Sequence, residues 1–101
     1  MPRIAQRTID AVNDLSIVDV VEHYNITLRR SGSNFLGLCP FHSERTPSFS
    51  VSRRLNIAKC FSCGKGGGPV QFVMEHEGLE YRPAVEALAK AFNIPVEYEK
   101  D

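Results

Sequence analysis

The sequence predicts an α+β domain, with helices at both ends and a small antiparallel sheet between them. Three observations carry that prediction. Apolar residues recur at helical spacing before residue 27 and after residue 66, and at alternating spacing in the stretch between. Glycine, serine and proline punctuate that middle stretch at short intervals, as hairpins require. Two pairs of residues with metal-ligand chemistry lie inside it, each pair separated by two residues.

Taken in order, residues 8–13 read as a short helix leading into a second over residues 17–24. There Ile17, Val20, Val21 and Tyr24 share a face, and Ser16 is placed to cap. Residues 27–30 and 34–38 are short extended runs joined by Ser31-Gly32-Ser33, a hairpin signal. Residues 48–52 alternate, with Phe49 and Val51 on one face. Residues 56–60 read as the partner strand, reached through a polar turn at residues 53–55. After Gly66-Gly67-Gly68 the helical period returns. Pro69 suits a first turn, Val70, Val73 and Met74 form a stripe, and Gly78 ends the helix. Tyr81, Ala84, Val85, Leu88, Ala89 and Phe92 give the cleanest helical pattern in the chain. Pro95 stops it, and residues 96–98 are placed to add a final strand. The expected organisation is one domain over residues 1–101: a helical start (1–26), a ribbon (27–65), and a helical pair with a terminal strand (66–101).

Composition bounds the function. At 101 residues, 43% hydrophobic and 24% charged, the chain reads as a small globular domain that buries a modest core and benefits from a metal staple. Three cysteines with no signal-like apolar run argue against a secreted disulfide framework, and a reducing, cytoplasmic setting is expected. Apolar runs are too short to span a membrane. Twelve basic and twelve acidic side chains cancel, yet residues 27–65 carry +6 while the flanks carry −2 and −4. Such segregation fits a surface that meets a polyanion; the plain alternative is a strand-rich middle that merely exposes lysine and arginine.

The ligand pattern is Cys39-x-x-His42, seventeen residues, then Cys60-x-x-Cys63. Two ligands separated by two residues reach one metal across a tight turn, and a second pair brought alongside completes a tetrahedron. Three cysteines and one histidine are a set that structural zinc uses. Pro40 stiffens the first turn, and Gly64 after the second permits a positive φ close to the sulfurs. Two alternatives compete: inert buried cysteines with His42 on the surface, and a redox role for Cys60-x-x-Cys63. The redox role lacks a βαβ context and leaves Cys39 and His42 unexplained. Four protein ligands leave no open position, so one zinc ion would be structural, not catalytic. With three thiolates the site carries −1, which Arg45, Lys59 and Lys65 lie close enough in sequence to offset. His23 and His76, on predicted helices, read as surface histidines.

The run Cys39-Pro40-Phe41-His42-Ser43-Glu44-Arg45-Thr46-Pro47-Ser48-Phe49-Ser50-Val51, with Lys59-Cys60-Phe61-Ser62-Cys63-Gly64-Lys65-Gly66-Gly67, resembles the N-terminal zinc-binding domain of bacterial DNA primases of the DnaG type. The likeness covers nearly the whole chain. It departs at Ser62, where the family usually has glycine, and at Gly68-Pro69, where a small polar residue is more typical. The resemblance implies a zinc ribbon on a five-stranded antiparallel sheet flanked by helices. It implies a domain that engages the single-stranded DNA template and helps choose where an RNA primer starts. Polymerase chemistry would belong to a following domain, reached in cis or in trans, and the replicative helicase would meet other parts of the parent protein.

Single-stranded DNA needs cations along its backbone and flat groups under its bases. Arg45 is the first expectation, since the family is basic there, and Arg29 the second. Arg30, Arg53, Arg54, Lys59 and Lys65 complete the cations. Phe35, Phe41, Phe49 and Phe61 are candidate stacking groups; Phe49 alternates with serines and reads as core, and for Phe41 and Phe61, inside the ligand turns, packing on the zinc site competes with an exposed role. Two other readings compete: a protein-interaction ribbon docking an acidic partner, and a stand-alone accessory protein of a mobile element. Residues 93–101 look like a domain boundary running into a linker, which favours an excised fragment.

Overall fold

The computed structural model describes residues 3–40, 47–61 and 63–99. A two-residue strand, β1 (Arg3–Ile4), precedes α1 (Gln6–Asn13) and α2 (Ile17–His23). Next come β2 (Arg29–Ser31), β3 (Asn34–Gly37), β4 (Phe49–Ser52), β5 (Ile57–Cys60) and β6 (Gly66–Gly67). The chain continues through α3 (Pro69–Glu77), α4 (Tyr81–Ala91) and β7 (Tyr98–Glu99). Strands β2 to β6 form one antiparallel sheet in chain order, so every pairing is between neighbours along the chain. This is the α+β architecture that the periodicity predicts.

The register assigns the two faces. Phe35, Val51 and Ala58 align across the sheet on one side, followed by Phe49 and Cys60. Arg29, Leu36, Ser50 and Lys59 align across it on the other. The helices cover only the first side: α2 lies on β4, α3 on β6 and α2, and α4 on α3 and α1. Val20, Val21, Phe72, Val73, Val85 and Leu88 share one core cluster with Phe49 and Val51, all fully buried. Phe49 and Phe72 pack with ring centroids 5.9 Å apart. Burying each such ring is worth about 2–3 kcal/mol.

Asn56 ties the helices to the sheet. It ends the β4–β5 turn with a φ of 56°, a conformation asparagine tolerates better than most residues. Its Oδ1 accepts the Ile17 N–H at 2.9 Å, while its Nδ2 donates to the Leu15 carbonyl at 2.9 Å and the Asn13 carbonyl at 3.3 Å. Ser16 occupies the expected N-cap position of α2, yet its hydroxyl makes no capping bond. The cap comes instead from a side chain 39 residues further along.

Three further features differ from expectation. The final strand is Tyr98–Glu99 and does not join the main sheet; it pairs with β1 as a separate ribbon, flanked by Arg3–Glu99 and Arg7–Glu97 ion pairs. The fifth strand of the main sheet is the Gly66–Gly67 segment, which reads locally as a break. His76 is not a surface residue: its ring stacks on Phe72 at 5.4 Å, lies 5.2 Å from Tyr24, and its side chain is only 21% exposed. Among the described residues no helix is long and apolar enough to cross a membrane.

Candidate functional site

Strand pairing builds the metal centre. Gly37, Phe49 and Cys60 align across β3, β4 and β5, so Cys39, two residues past Gly37, emerges at the end of the sheet where β5 finishes. Beyond Cys60 the chain curls: the Gly64 N–H donates to the Cys60 carbonyl at 2.8 Å and the Cys60 N–H donates to the Lys65 carbonyl at 2.9 Å. That curl returns Cys63 to the other two. The three sulfurs lie within 4.8 Å of one another, with Cys39 and Cys63 Sγ 3.8 Å apart. Zn–S bonds of about 2.3 Å at tetrahedral angles separate sulfurs by about 3.8 Å, so the three residues fit three corners of a zinc site. Expected ligand His42 falls in residues 41–46, outside the described residues, as do Phe41 and Arg45.

Cys39 and Cys60 are buried and Cys63 is exposed. Burial by itself pushes the Cys60 thiol up. Hydrogen bonds from Ser48 Oγ (3.5 Å), the Cys39 thiol, and the backbone and thiol of Cys63 together outweigh it and bring the thiol down to about 6. The thiolate is the form that ligates metal, so the protein environment prepares this sulfur for it. The backbone behind the site is equally constrained. Gly66 has a φ of 147°, and a Cβ there would lie 2.0 Å from the Ala58 carbonyl oxygen, so only glycine lets the chain leave the curl alongside β5.

The uncovered side of the sheet holds Arg29, Arg54, Lys59 and Phe61 of the described nucleic-acid candidates. Arg29 on β2 and Lys59 on β5 end the cross-strand row, about 14 Å apart at sheet spacing, with Leu36 and Ser50 between them. A trough of about 610 Å³ runs over β3–β5, lined by Asn34, Ser50, Ser52, Arg54, Leu55, Ile57, Lys59 and Phe61 among others. Phe61 is 73% exposed, while its N–H donates to the Ser48 carbonyl at 2.9 Å and fixes its place beside Cys60.

The structure separates other candidates. Arg30 shares the register of Phe35 and Val51 at the sheet edge, turned from Arg29, and its Nε donates to the Gly32 carbonyl at 3.4 Å. Arg53 is exposed in the turn, but its neighbour Arg54 lines the trough. Lys65 is exposed in the curl, where its carbonyl serves Cys60. Phe49 is core as expected, and Phe35 packs half-buried against the core. The sequence reading missed Leu55, Ile57 and the β4 serines. The signal was present, since Ser50 and Ser52 are the polar half of the alternation that identified β4.

A family profile described as CHC2 zinc finger matches residues 4–101. The DNA primase of Listeria innocua is 46% identical over 100 residues, covering 98% of this chain and 16% of that protein. The DNA primase of Pseudomonas putida is 45% identical over 91 residues, covering 90% of this chain and 14% of its own length. The crystal structure of Aquifex aeolicus primase, comprising zinc-binding and RNA polymerase domains, superposes with a TM-score of 0.78 at 40% identity, covering 93% of this chain and 22% of that one. The chain thus spans about a sixth of the length of the curated relatives it matches. With its three converging sulfurs, ribbon topology and near-complete coverage by these matches, the chain belongs to the CHC2 zinc finger family, the zinc-binding domain of DNA primases.

Proposed function

We propose that this domain binds the single-stranded DNA template on its uncovered sheet face and supports the start of RNA primer synthesis by a primase polymerase domain. The observation that carries this reading is the trough itself. A highly exposed aromatic ring, two serines and an asparagine lie between cations on the side of the sheet that none of the described helices covers. Phosphates would run along Arg29, Arg54 and Lys59, and bases would stack on Phe61. One structural zinc held by Cys39, His42, Cys60 and Cys63 would keep Phe61 and the strand ends in place, with Arg45 and Phe41 extending the surface. Catalysis would fall to the polymerase domain, in cis or in trans, and helicase contacts to other parts of a cytoplasmic parent protein. The relatives' names and the two domains of the Aquifex aeolicus structure support that division.

The test is a titration of the zinc-loaded domain with a single-stranded oligonucleotide over a range of salt. Lys59→Glu should weaken binding across all sequences and make the salt dependence shallower by about one phosphate contact, with folding stability changed by less than about 0.5 kcal/mol. Unchanged affinity and slope would remove Lys59 from the interface. No binding by the wild type at physiological salt would remove the reading altogether.

A further inference from the structure

A second concavity, of about 640 Å³, lies beside β2. Ile26, Leu36, Leu38, Pro40 and Pro47 give it an apolar lining, Arg29 and Arg30 also line it, and no acidic side chain is among its described lining residues. Leu36 and Leu38 alternate with Gly37 and Cys39, so strand period aims both toward the uncovered side of the sheet. Leu38 is 51% exposed. A single exposed leucine is ordinary, but here it continues an apolar wall. The back of the cleft is built closely. A Cβ at Gly37 would lie 2.7 Å from the Thr27 carbonyl oxygen, so glycine lets residues 26–28 seat directly on β3. Cys39 also lines the cleft, which places it against the metal centre.

We propose that this cleft captures one unpaired base of the single strand lying on the uncovered face, with Arg29 holding the adjoining phosphate. The inference rests on the single-stranded DNA reading and deepens it by giving one base a site of its own. Two arguments favour this occupant. The cleft adjoins the trough through the row Arg29–Leu36–Ser50–Lys59, whose first two residues line the cleft and last two the trough. The pairing of an apolar wall with the Arg29 guanidinium, and no carboxylate among the described lining residues, complements a flat heterocycle joined to phosphate. A base in a duplex would have to unpair and unstack to enter, so the cleft also favours single strands.

The experiment measures the zinc-loaded chain against an oligothymidine strand of about twelve residues and an abasic strand of the same length. Leu38→Ser should lose about tenfold in affinity for oligothymidine with an unchanged salt slope, and should bind the abasic strand like wild type. Leu38→Met, which preserves the apolar wall, should restore the affinity, and zinc content with circular dichroism verifies the fold of each variant. Wild-type affinity of Leu38→Ser for oligothymidine would overturn the assignment, as would an equal loss on both strands. Displacement from the cleft by an apolar acidic peptide, with oligothymidine binding untouched by Leu38→Ser, would give the cleft to a protein partner and overturn it too. If the wild type binds neither strand, the single-stranded DNA reading itself falls.

Discussion

On one side of the five-stranded sheet, Phe49, Val51, Ala58 and Cys60 are sealed beneath the helical layer that α2 and α3 lay on it; on the other, Ser50, Lys59 and Phe61 meet water. The same strands supply both sets by alternation, so the two faces were built under different demands. The covered face is apolar, filled by rings and branched side chains at van der Waals contact, and its worth is stability. The uncovered face mixes cations, hydroxyls and an exposed ring at some cost in apolar exposure, and its proposed worth is binding. Cys60 joins them: its sulfur is buried among the core residues while Phe61, its neighbour, stands 73% exposed.

This contrast can be broken at four places, in order of falling effect. Removing zinc should be the most damaging, because zinc binding in small ribbons contributes on the order of 10 kcal/mol to folding. A chelator should abolish native circular dichroism from the ribbon and collapse amide protection across β3–β5; a full native spectrum after verified metal removal would contradict a structural role. Phe72→Ala, on the covered side, should lose about 3–5 kcal/mol in urea unfolding while its folded fraction binds single-stranded DNA like wild type. An equal loss of binding would mean that the two faces are not separable.

Asn56→Ala should come next, at about 2 kcal/mol, because it removes three hydrogen bonds and puts alanine at a positive φ. Its distinguishing sign is faster hydrogen exchange at the start of α2. Uniform destabilisation without that local effect would refute the capping role. The smallest effect is a pH response. The Cys60 thiol is depressed to about 6, so its ionised form stabilises the protein above the ordinary thiol range, and that contribution is lost as pH falls through about 6. Zinc affinity from chelator competition should therefore fall steeply below that value. Ser48→Ala, which deletes a bond that lowers the thiol, should move the fall to higher pH; an unmoved curve would show that Ser48 does not tune the sulfur.

Much of this molecule was legible along the chain. The helices over residues 17–23, 69–77 and 81–91 and the strands over 49–52 and 57–60 each carry their own period, because each buries one face against a continuous core. The three cysteines that converge were legible for a related reason: a metal imposes fixed spacing on its ligands, and the two residues between Cys60 and Cys63 survive as a pattern. What escaped depends on distant partners. A glycine run becomes a strand only because the metal-binding curl lays it along β5. Tyr98 and Glu99 form a strand only because Arg3 and Ile4 lie beside them, and two residues cannot show a period.

By itself, then, the sequence determined the α+β class, the order of the main elements, the three cysteines that converge and the basic middle. Those depend on local spacing, burial period and charge, which need no knowledge of the fold. The tertiary structure alone decided that Arg29 and Arg30 part company across the sheet, that Arg54 and not Arg53 lines the trough, and that His76 is stacked inward. Those outcomes turn on register and on which face the helices cover, and both are set by contacts between residues far apart in the chain.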